Sequence, residues 1–264
     1  MSGDPPFTLF RWVGSLMYIV VCTLLFGTFY VVMFRTLVPA FASSPVSTIV
    51  GGLFFSVAFV LAVASYVQVC RTHPGGVPAN FLLRSDASSF RVCKDCNTPK
   101  PARSHHCEIC GHCVLKQDHH CPWINVCVGF KNQKFFFQFL LYVVLLCIIG
   151  VSILVAKVDV AIFASTAADR DTLTPILQLV SLAIGLSLGL ATLALLIMHA
   201  HLIASNLTGS EHAYGTSNPF HLGSRLANAE SVLGPISLVG WMLPIYTTPG
   251  NGIDWPTKAG LQEV

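Results

Sequence analysis

Charge is what this sequence has least of. Asp, Glu, Lys and Arg make up 10% of its 264 residues, while 53% are hydrophobic. A soluble domain carries about 25% charged residues, so an ordinary soluble globular chain is excluded. The net charge is only +3. That balance gives no electrostatic footprint for nucleic acid, and no basic recognition helix accompanies it. Repeats of about 20–50 residues and low-complexity segments are missing too, which removes solenoids and biased linkers. The opening MSGDPPFTLFRW lacks a basic stretch and a small-residue cleavage site, so the first apolar run is expected to stay as an anchor. Gly is not at position 2, and the final LQEV fits no prenylation or retention signal, so no lipid anchor of those kinds is expected.

What is present is apolar length. A bilayer core about 30 Å thick needs about 20 apolar residues in a helix. Runs at 12–34, 48–70, 135–156 and 173–199 meet that need. Arg11 and Arg35 bound the first, Arg71 closes the second, Lys134 and Lys157 flank the third, and the fourth has no charge. No polar face recurs at helical spacing to meet water, which sets aside a soluble bundle. The sequence therefore predicts an all-α integral membrane protein with four transmembrane helices. Nine of the fifteen Lys/Arg lie between Arg71 and Lys134, whereas the loop 36–47 has none. The loop 158–172 sets Arg170 against Asp159, Asp169 and Asp171. The positive-inside rule then places the loop 71–134, and with it the termini 1–11 and 200–264, in the cytosol. The apolar stretch 232–246 is broken by Gly234, Pro235, Gly240 and Pro244, and reads as an interfacial or re-entrant segment, not a fifth span.

Seven of the ten cysteines and five histidines fall within residues 93–127. CxxC pairs occur at Cys93/Cys96, Cys107/Cys110 and Cys110/Cys113. Such spacing in a reducing compartment points to structural zinc rather than disulfides. The loop is too short to build its own core, so metal binding would supply its folding energy. One four-ligand site cannot use so many donors, and two sites leave a surplus. Asp118, His119, His120 and Cys121 are consecutive. A carboxylate can orient an imidazole, and the imidazole can take a thiol proton. Spacing alone does not say which cysteine is free, nor whether Asp118 merely supports a zinc-bound histidine.

The loop resembles the cysteine-rich domain of the DHHC family of protein S-acyltransferases, the membrane enzymes that palmitoylate proteins. The likeness runs over about 45 residues and rests on Pro101, Arg103, His106-Cys107, the Asp118–Cys121 tetrad, Pro122-Trp123, Asn125, Cys127-Val128-Gly129 and Asn132. It implies four spans with a cytosolic zinc-binding domain between the second and third. It implies one zinc on Cys93, Cys96, His106 and Cys113, and a second on Cys107, Cys110, His120 and Cys127, both structural. Cys121 would be the nucleophile, His119 its general base and Asp118 the partner orienting that base. The implied activity is transfer of a palmitoyl or other long-chain acyl group from acyl-CoA, through a thioester on Cys121, to cysteines of membrane-associated proteins at the cytosolic face. The alternative is a catalytically silent, zinc-stabilised membrane scaffold. The membrane would be the ER, the Golgi or the plasma membrane. Trp123 is a candidate for lining the thioester pocket, and Lys100, Arg103, Lys131 and Lys134 for meeting CoA phosphates. The acyl chain, at about 0.8 kcal/mol per buried CH₂, is expected among the transmembrane helices.

Two segments depart from the family pattern. His73-Pro74-Gly75 stands where the family often has Asp-Pro-Gly, so a turn is expected without the aspartate contact. Thr208-Gly209-Ser210-Glu211 stands for Thr-Thr-x-Glu. Gly209 has no hydroxyl for the active-site aspartate, so either Ser210 substitutes or the contact is absent. Asn218-Pro219-Phe220, Gly223, Asn228 and Gly234 resemble a C-terminal packing motif. His199 and His201 read as membrane-interface residues, and Cys22 and Cys147 as small packing residues.

Overall fold

The computed structural model describes residues 7–84, 86, 89–163, 173–215 and 218–256. Apolar stretches that meet lipid must satisfy their backbone internally, and here they form four long helices. Helix α1 (Phe7–Tyr30) passes through a π-helical stretch, Val31–Leu37, into a short α2 (Val38–Ala40). It is followed by α3 (Pro45–Arg71), α4 (Gln133–Phe163) and α5 (Leu173–Ser205). By length and composition the candidate membrane spans are Trp12–Ala40, Pro45–Arg71, Gln133–Lys157 and Leu173–Ser205. Each outruns the apolar run in the sequence. Hydropathy marks where a side chain prefers lipid, whereas the hydrogen-bonded ladder continues as long as its backbone groups find partners.

The π-helical stretch has a cause in Pro39. Proline has no N–H for the carbonyl four residues back, and its ring crowds that carbonyl. The helix widens accordingly: the Val38 N–H reaches Met33 O, and the Thr36 hydroxyl donates to Val31 O at 3.0 Å. The Arg35 carbonyl, which Pro39 cannot serve, accepts instead from the Gln178 side chain of α5 at 3.4 Å. Gln178 also donates to the Thr36 hydroxyl at 3.1 Å.

The chain divides into two compact units. One comprises Ile19–Ala64 and Phe139–Ile197. Its buried side chains are mostly aliphatic, with one aromatic stack among them. Phe29 stacks on Phe59 at 4.2 Å and on Phe55 at 5.8 Å. Phe55 is fully buried, and a Cβ at Gly150 would come within 3.1 Å of its ring. A bare α4 surface at that point is what lets the phenyl ring pack.

The other unit comprises Met1–Tyr18, Ser65–Gln138 and Met198–Val264. After a 3₁₀ turn, Ala79–Leu83, it contains six short strands: β1 (Val92–Cys93), β2 (Thr98–Pro99), β3 (His105–Cys107), β4 (His112–Val114), β5 (His119–Cys121) and β6 (Val126–Val128). They pair as three separate antiparallel hairpins, β1-β2, β3-β4 and β5-β6. Among the described residues, strand is confined to this cysteine-rich stretch, and the regular structure elsewhere is helical as expected. Three short helices follow α5: α6 (Gly209–Ala213), α7 (Arg225–Leu233) and α8 (Leu238–Met242).

Two cations tie this C-terminal portion to the hairpins and to α4. Arg103 has no exposed side-chain area. Its guanidinium donates twice to Glu211, at 2.8 Å each, and to Asn206 Oδ1 and O at 3.1 and 2.9 Å. The Phe220 and Trp255 rings lie 4.6 and 4.8 Å from its Cζ. Lys134 Nζ donates to Gly240 O, to Thr247 Oγ1 and, at 2.8 Å, to Ile245 O. Gln138 donates to Trp241 O and Leu243 O at 2.9 Å. The expectation that Arg103 and Lys134 face phosphates is therefore corrected. Both are buried, and their donors are consumed inside the fold. The broken apolar stretch forms the end of α7, α8 and an extended segment, with Leu238, Ile236 and Val239 exposed.

Replacing Glu211 by Ala leaves the Arg103 charge buried without its carboxylate and also removes half of a capping box with Thr208. The expected loss is about 3–5 kcal/mol, read as a lower unfolding midpoint in detergent. Burial works against the Glu211 charge, but Arg103 outweighs it and holds the carboxyl below its usual range. The ion pair's contribution is thus complete above the unfolded carboxylate range and is lost only as pH falls through the depressed folded value.

Candidate active site and metal centres

The three hairpins are copies of one design at a spacing of fourteen residues. Cys107↔His112 in the second hairpin corresponds to Cys93↔Thr98 in the first and to Cys121↔Val126 in the third. His106↔Cys113 corresponds in the same way to His120↔Cys127. Each tip closes on a left-handed residue: Asn97 (φ 51°), Gly111 (φ 71°) and Asn125 (φ 51°). Asparagine and glycine are the residues that tolerate this conformation. In the first two tips the second CxxC amide donates to the first sulfur, Cys96 N to Cys93 Sγ at 3.5 Å and Cys110 N to Cys107 Sγ at 3.4 Å.

The donors of adjacent hairpins converge. Cys93 and Cys96 meet His106 and Cys113 of the next hairpin, and Cys107 and Cys110 meet His120 and Cys127 of the one after. A tetrahedral zinc with ordinary bond lengths sets its ligands about 3.8 Å apart for two sulfurs and about 3.6 Å for sulfur and nitrogen. In the first group Cys93 Sγ and Cys96 Sγ lie 3.6 and 3.2 Å from His106 Nδ1, and Cys113 Sγ lies 3.8 Å from Cys96 Sγ. In the second, Cys107, Cys110 and Cys127 lie 3.6, 3.4 and 3.7 Å from His120 Nδ1, and Cys110 lies 3.6 Å from Cys127. Both groups fit a zinc ion, and they interleave.

The third hairpin breaks the design at one place. Ile124 occupies the position of Cys96 and Cys110, and among the described residues no fourth hairpin follows to offer a His/Cys pair. Cys121 occupies the position of Cys93 and Cys107 yet belongs to neither metal group. Beside it is His119, whose Nδ1 is 2.7 Å from Asp118 Oδ2. Asp118 is almost wholly buried. Burial opposes its charge, but the hydrogen bond with His119, the nearby imidazoles and the Gly209 amide hold its carboxyl below the usual range. His119 is pushed the other way. Burial disfavours its cation, but Asp118 and Cys121 outweigh that and bring it up to about 9.

The aspartate contact, expected either from Ser210 or not at all, is made to the carboxylate by the Gly209 backbone, and the expected turn after α3 forms around His73. The Gly209 N–H donates to Asp118 Oδ1 at 2.7 Å, and the Ser210 hydroxyl donates to Asp118 O at 3.0 Å. The amide is aimed by the Thr208–Glu211 capping box at the start of α6. A Cβ at Gly209 would sit 3.3 Å from Asp118 O and Oδ2, which is tight. In the turn after α3, His73 Nδ1 accepts from the Gly75 N–H at 3.1 Å. Gly75 O accepts from Leu115 N at 2.8 Å, and Pro74 O from Lys131 N at 3.0 Å, which fastens the turn to the hairpins.

The third hairpin is also seated on helices that the sequence reading did not connect with it. Tyr18 donates to Ile124 O at 2.7 Å, and Tyr66 donates to Trp123 O at 3.0 Å. A Cβ at Gly14 would overlap the Asn125 side chain. Trp123 is half exposed beside Cys121. Lys131 is exposed and Lys100 half-buried, so both retain access to solvent. His199, read as an interface residue, is instead buried beside Asp118, with its Nδ1 4.0 Å from Asp118 Oδ2. Its signal was a histidine inside an otherwise apolar helix, where a polar group needs a reason.

The DHHC palmitoyltransferase family model matches residues 87–215. Among curated proteins, probable protein S-acyltransferase 13 of Arabidopsis thaliana is 34% identical over 272 residues, covering 91% of this chain and 87% of that protein. This chain belongs to the DHHC palmitoyltransferase family. Probable protein S-acyltransferase 14 of Arabidopsis thaliana is 30% identical, with 95% and 93% of the two chains covered. Human palmitoyltransferase ZDHHC3 is 29% identical over 84% of this chain and 77% of that one.

Gly209 is the first residue of α6, a position where proline suits the helix. Gly209→Pro should therefore keep the start of α6 while removing the amide that holds Asp118 and pressing ring carbons against the carboxylate, whose Oδ1 lies 2.7 Å from the amide nitrogen. A hydrogen bond to a charged group is worth about 1.5–3 kcal/mol, so about a tenfold or greater fall in acylation rate is expected, measured by single-turnover labelling. Elemental analysis is expected to give two zinc ions per chain, and Cys96→Ala should lower that number while leaving the second group's donors in place.

Proposed function

We propose a two-step acyl exchange on Cys121 as the working cycle of this protein S-acyltransferase. The observation that carries it is the position of Cys121. Among the described residues it is the one cysteine of the hairpins outside both metal groups, and it lies against an imidazole already tied to a buried carboxylate. With Nδ1 committed to Asp118, His119 has Nε2 left for the thiol proton. A protonated imidazole beside a thiol favours the thiolate, which is the attacking form.

In the first step the Cys121 thiolate attacks the thioester carbonyl of a long-chain acyl-CoA, palmitoyl-CoA among them. The carbon–sulfur bond to CoA breaks, and His119 returns its proton to the departing CoA sulfur. In the second step His119 takes the proton of a substrate cysteine, and that sulfur attacks the acyl-Cys121 thioester. The new thioester stays on the substrate protein, and Cys121 leaves as the thiolate. Asp118 keeps His119 in the right tautomer throughout and offsets the imidazolium charge. Zinc in the two Cys/His groups supplies cross-links rather than chemistry, because all four donor positions of each group are protein side chains.

Substrates on this reading are membrane-associated proteins with cytosolic cysteines. The concentration of Lys/Arg in the loop 71–134 supports a cytosolic site in an endomembrane or the plasma membrane. Half-exposed Trp123 suits contact with the acyl thioester, and Lys100 and Lys131 suit the CoA phosphates. Lys131 lines an open pocket of about 400 Å³ with Gln68, Thr72, Phe135 and Tyr246. A silent scaffold has no use for the Asp118–His119–Cys121 arrangement and is set aside.

Incubation of the purified protein with labelled palmitoyl-CoA is expected to give a hydroxylamine-sensitive adduct on Cys121. Cys121→Ser should abolish the adduct while retaining two zinc ions. A wild-type protein that holds both ions and forms no adduct would refute the cycle.

A further inference from the structure

His199 lies in the last two turns of α5 and is only 3% exposed. With Asp118 and His119 it forms a third set of metal-type donors. The distances argue against an ion there. The 2.7 Å between His119 Nδ1 and Asp118 Oδ2 is a hydrogen bond, and His199 Nδ1 stands off at 4.0 Å. Two nitrogen or oxygen ligands of one tetrahedral zinc would be about 3.4 Å apart. Nor is the 4.0 Å separation a hydrogen bond to the carboxylate.

What His199 does make is ring contact. Its centroid lies 5.8 Å from that of His119, at 42°, and 5.0 Å from that of Phe136, at 75°. Phe136 in turn packs edge-on against His119 at 5.3 Å and 69°. The three rings therefore pack pairwise, at separations normal for aromatic pairs. The consequence falls on His119. Its one hydrogen bond to Asp118 restrains Nδ1 but still allows the imidazole to turn by small rotations about its Cα–Cβ and Cβ–Cγ bonds. Rings from α4 and α5 block that turn and hold the direction of Nε2.

We propose that His199 is a positioning residue for acyl transfer: with Phe136 it forms an aromatic wall that fixes the plane of the His119 imidazole. An imidazole here, unlike a phenyl ring, also turns a polar edge toward the buried Asp118 carboxylate. The proposal rests on His119 being the base of the cycle. It predicts an effect on the chemical step and none on acyl-CoA binding, because His199 acts only through His119.

The test is single-turnover acylation of Cys121 in the full-length protein in detergent or nanodiscs, across a range of palmitoyl-CoA concentrations, with zinc content measured in parallel. His199→Ala is expected to lower the maximal rate about 10- to 100-fold, the range that misplacement of a reacting group commonly costs. The half-saturating palmitoyl-CoA concentration and the two zinc ions should be unchanged. His199→Phe, which restores the wall, is expected to recover most of the rate. An unchanged His199→Ala rate overturns the proposal. So does a loss seen only in half-saturation, or a His199→Phe protein no faster than His199→Ala. Should His199→Ala lose its zinc, His199→Phe decides alone: a rate within about threefold of wild type supports the wall, and a larger loss overturns it. Absence of any adduct on the wild-type protein overturns the acyl-transfer cycle and this proposal with it. A wild-type adduct with unaltered His199→Ala kinetics overturns only the wall.

Discussion

Each Cys/His group draws its first two donors from one hairpin and its last two from the next. The strands involved are two or three residues long, too short to hold together by pairing alone. An ion shared between neighbours is what can fix one such short hairpin against another. Everything at the site inherits its position from that sharing. His120 is held by the second group, so its neighbours His119 and Cys121 are placed to within a peptide unit on either side.

A second layer of support comes from residues far away in sequence. Asp118 is oriented by Gly209 and Ser210, more than ninety residues downstream. That contact depends on α6, which is held by Glu211 against the buried Arg103. Arg103 belongs to the link between the first and second hairpins, so the hairpins and the C-terminal portion fix each other. The substitution of glycine in the Thr-Thr-x-Glu pattern removes a hydroxyl without removing a donor. The backbone amide was there already, and the missing side chain leaves the carboxylate room to reach it.

The four spans and the metal-binding character of the cysteine-rich loop were legible because each has a local signature: apolar length in one case, CxxC spacing in the other. The spans' true ends were not, since hydrogen bonding carries α5 beyond the apolar run at His199 to Ser205. The free cysteine could not be singled out by spacing, although the fourteen-residue offset that exposes it is written in the sequence. Ile124 aligns with Cys96 and Cys110 only once the hairpins are recognised as equivalent. Arg103 and Lys134 were misjudged because charge pattern says nothing about burial. Lys116 is a further case. It is fully buried over the Trp255 ring, and burial chiefly, with the nearby Arg103 charge, pushes it down to about 7. Contacts such as Tyr18 and Tyr66 with the backbone of residues 123 and 124 have no sequence signature, because a carbonyl acceptor exists at every position.

The hairpins also form a linear array with nearest-neighbour coupling. The first joins only the second, and the third only the second, so the middle hairpin contributes four of the eight donors, two to each group. Damage is then graded by distance along the array. A fault at Cys93 is two links from Cys121, whereas a fault at His106, Cys107, Cys110 or Cys113 strikes the hub that joins the first hairpin to the third. Cys121 occupies the array's open end, the one place where a cysteine can keep the architecture of a metal ligand while belonging to neither Cys/His group.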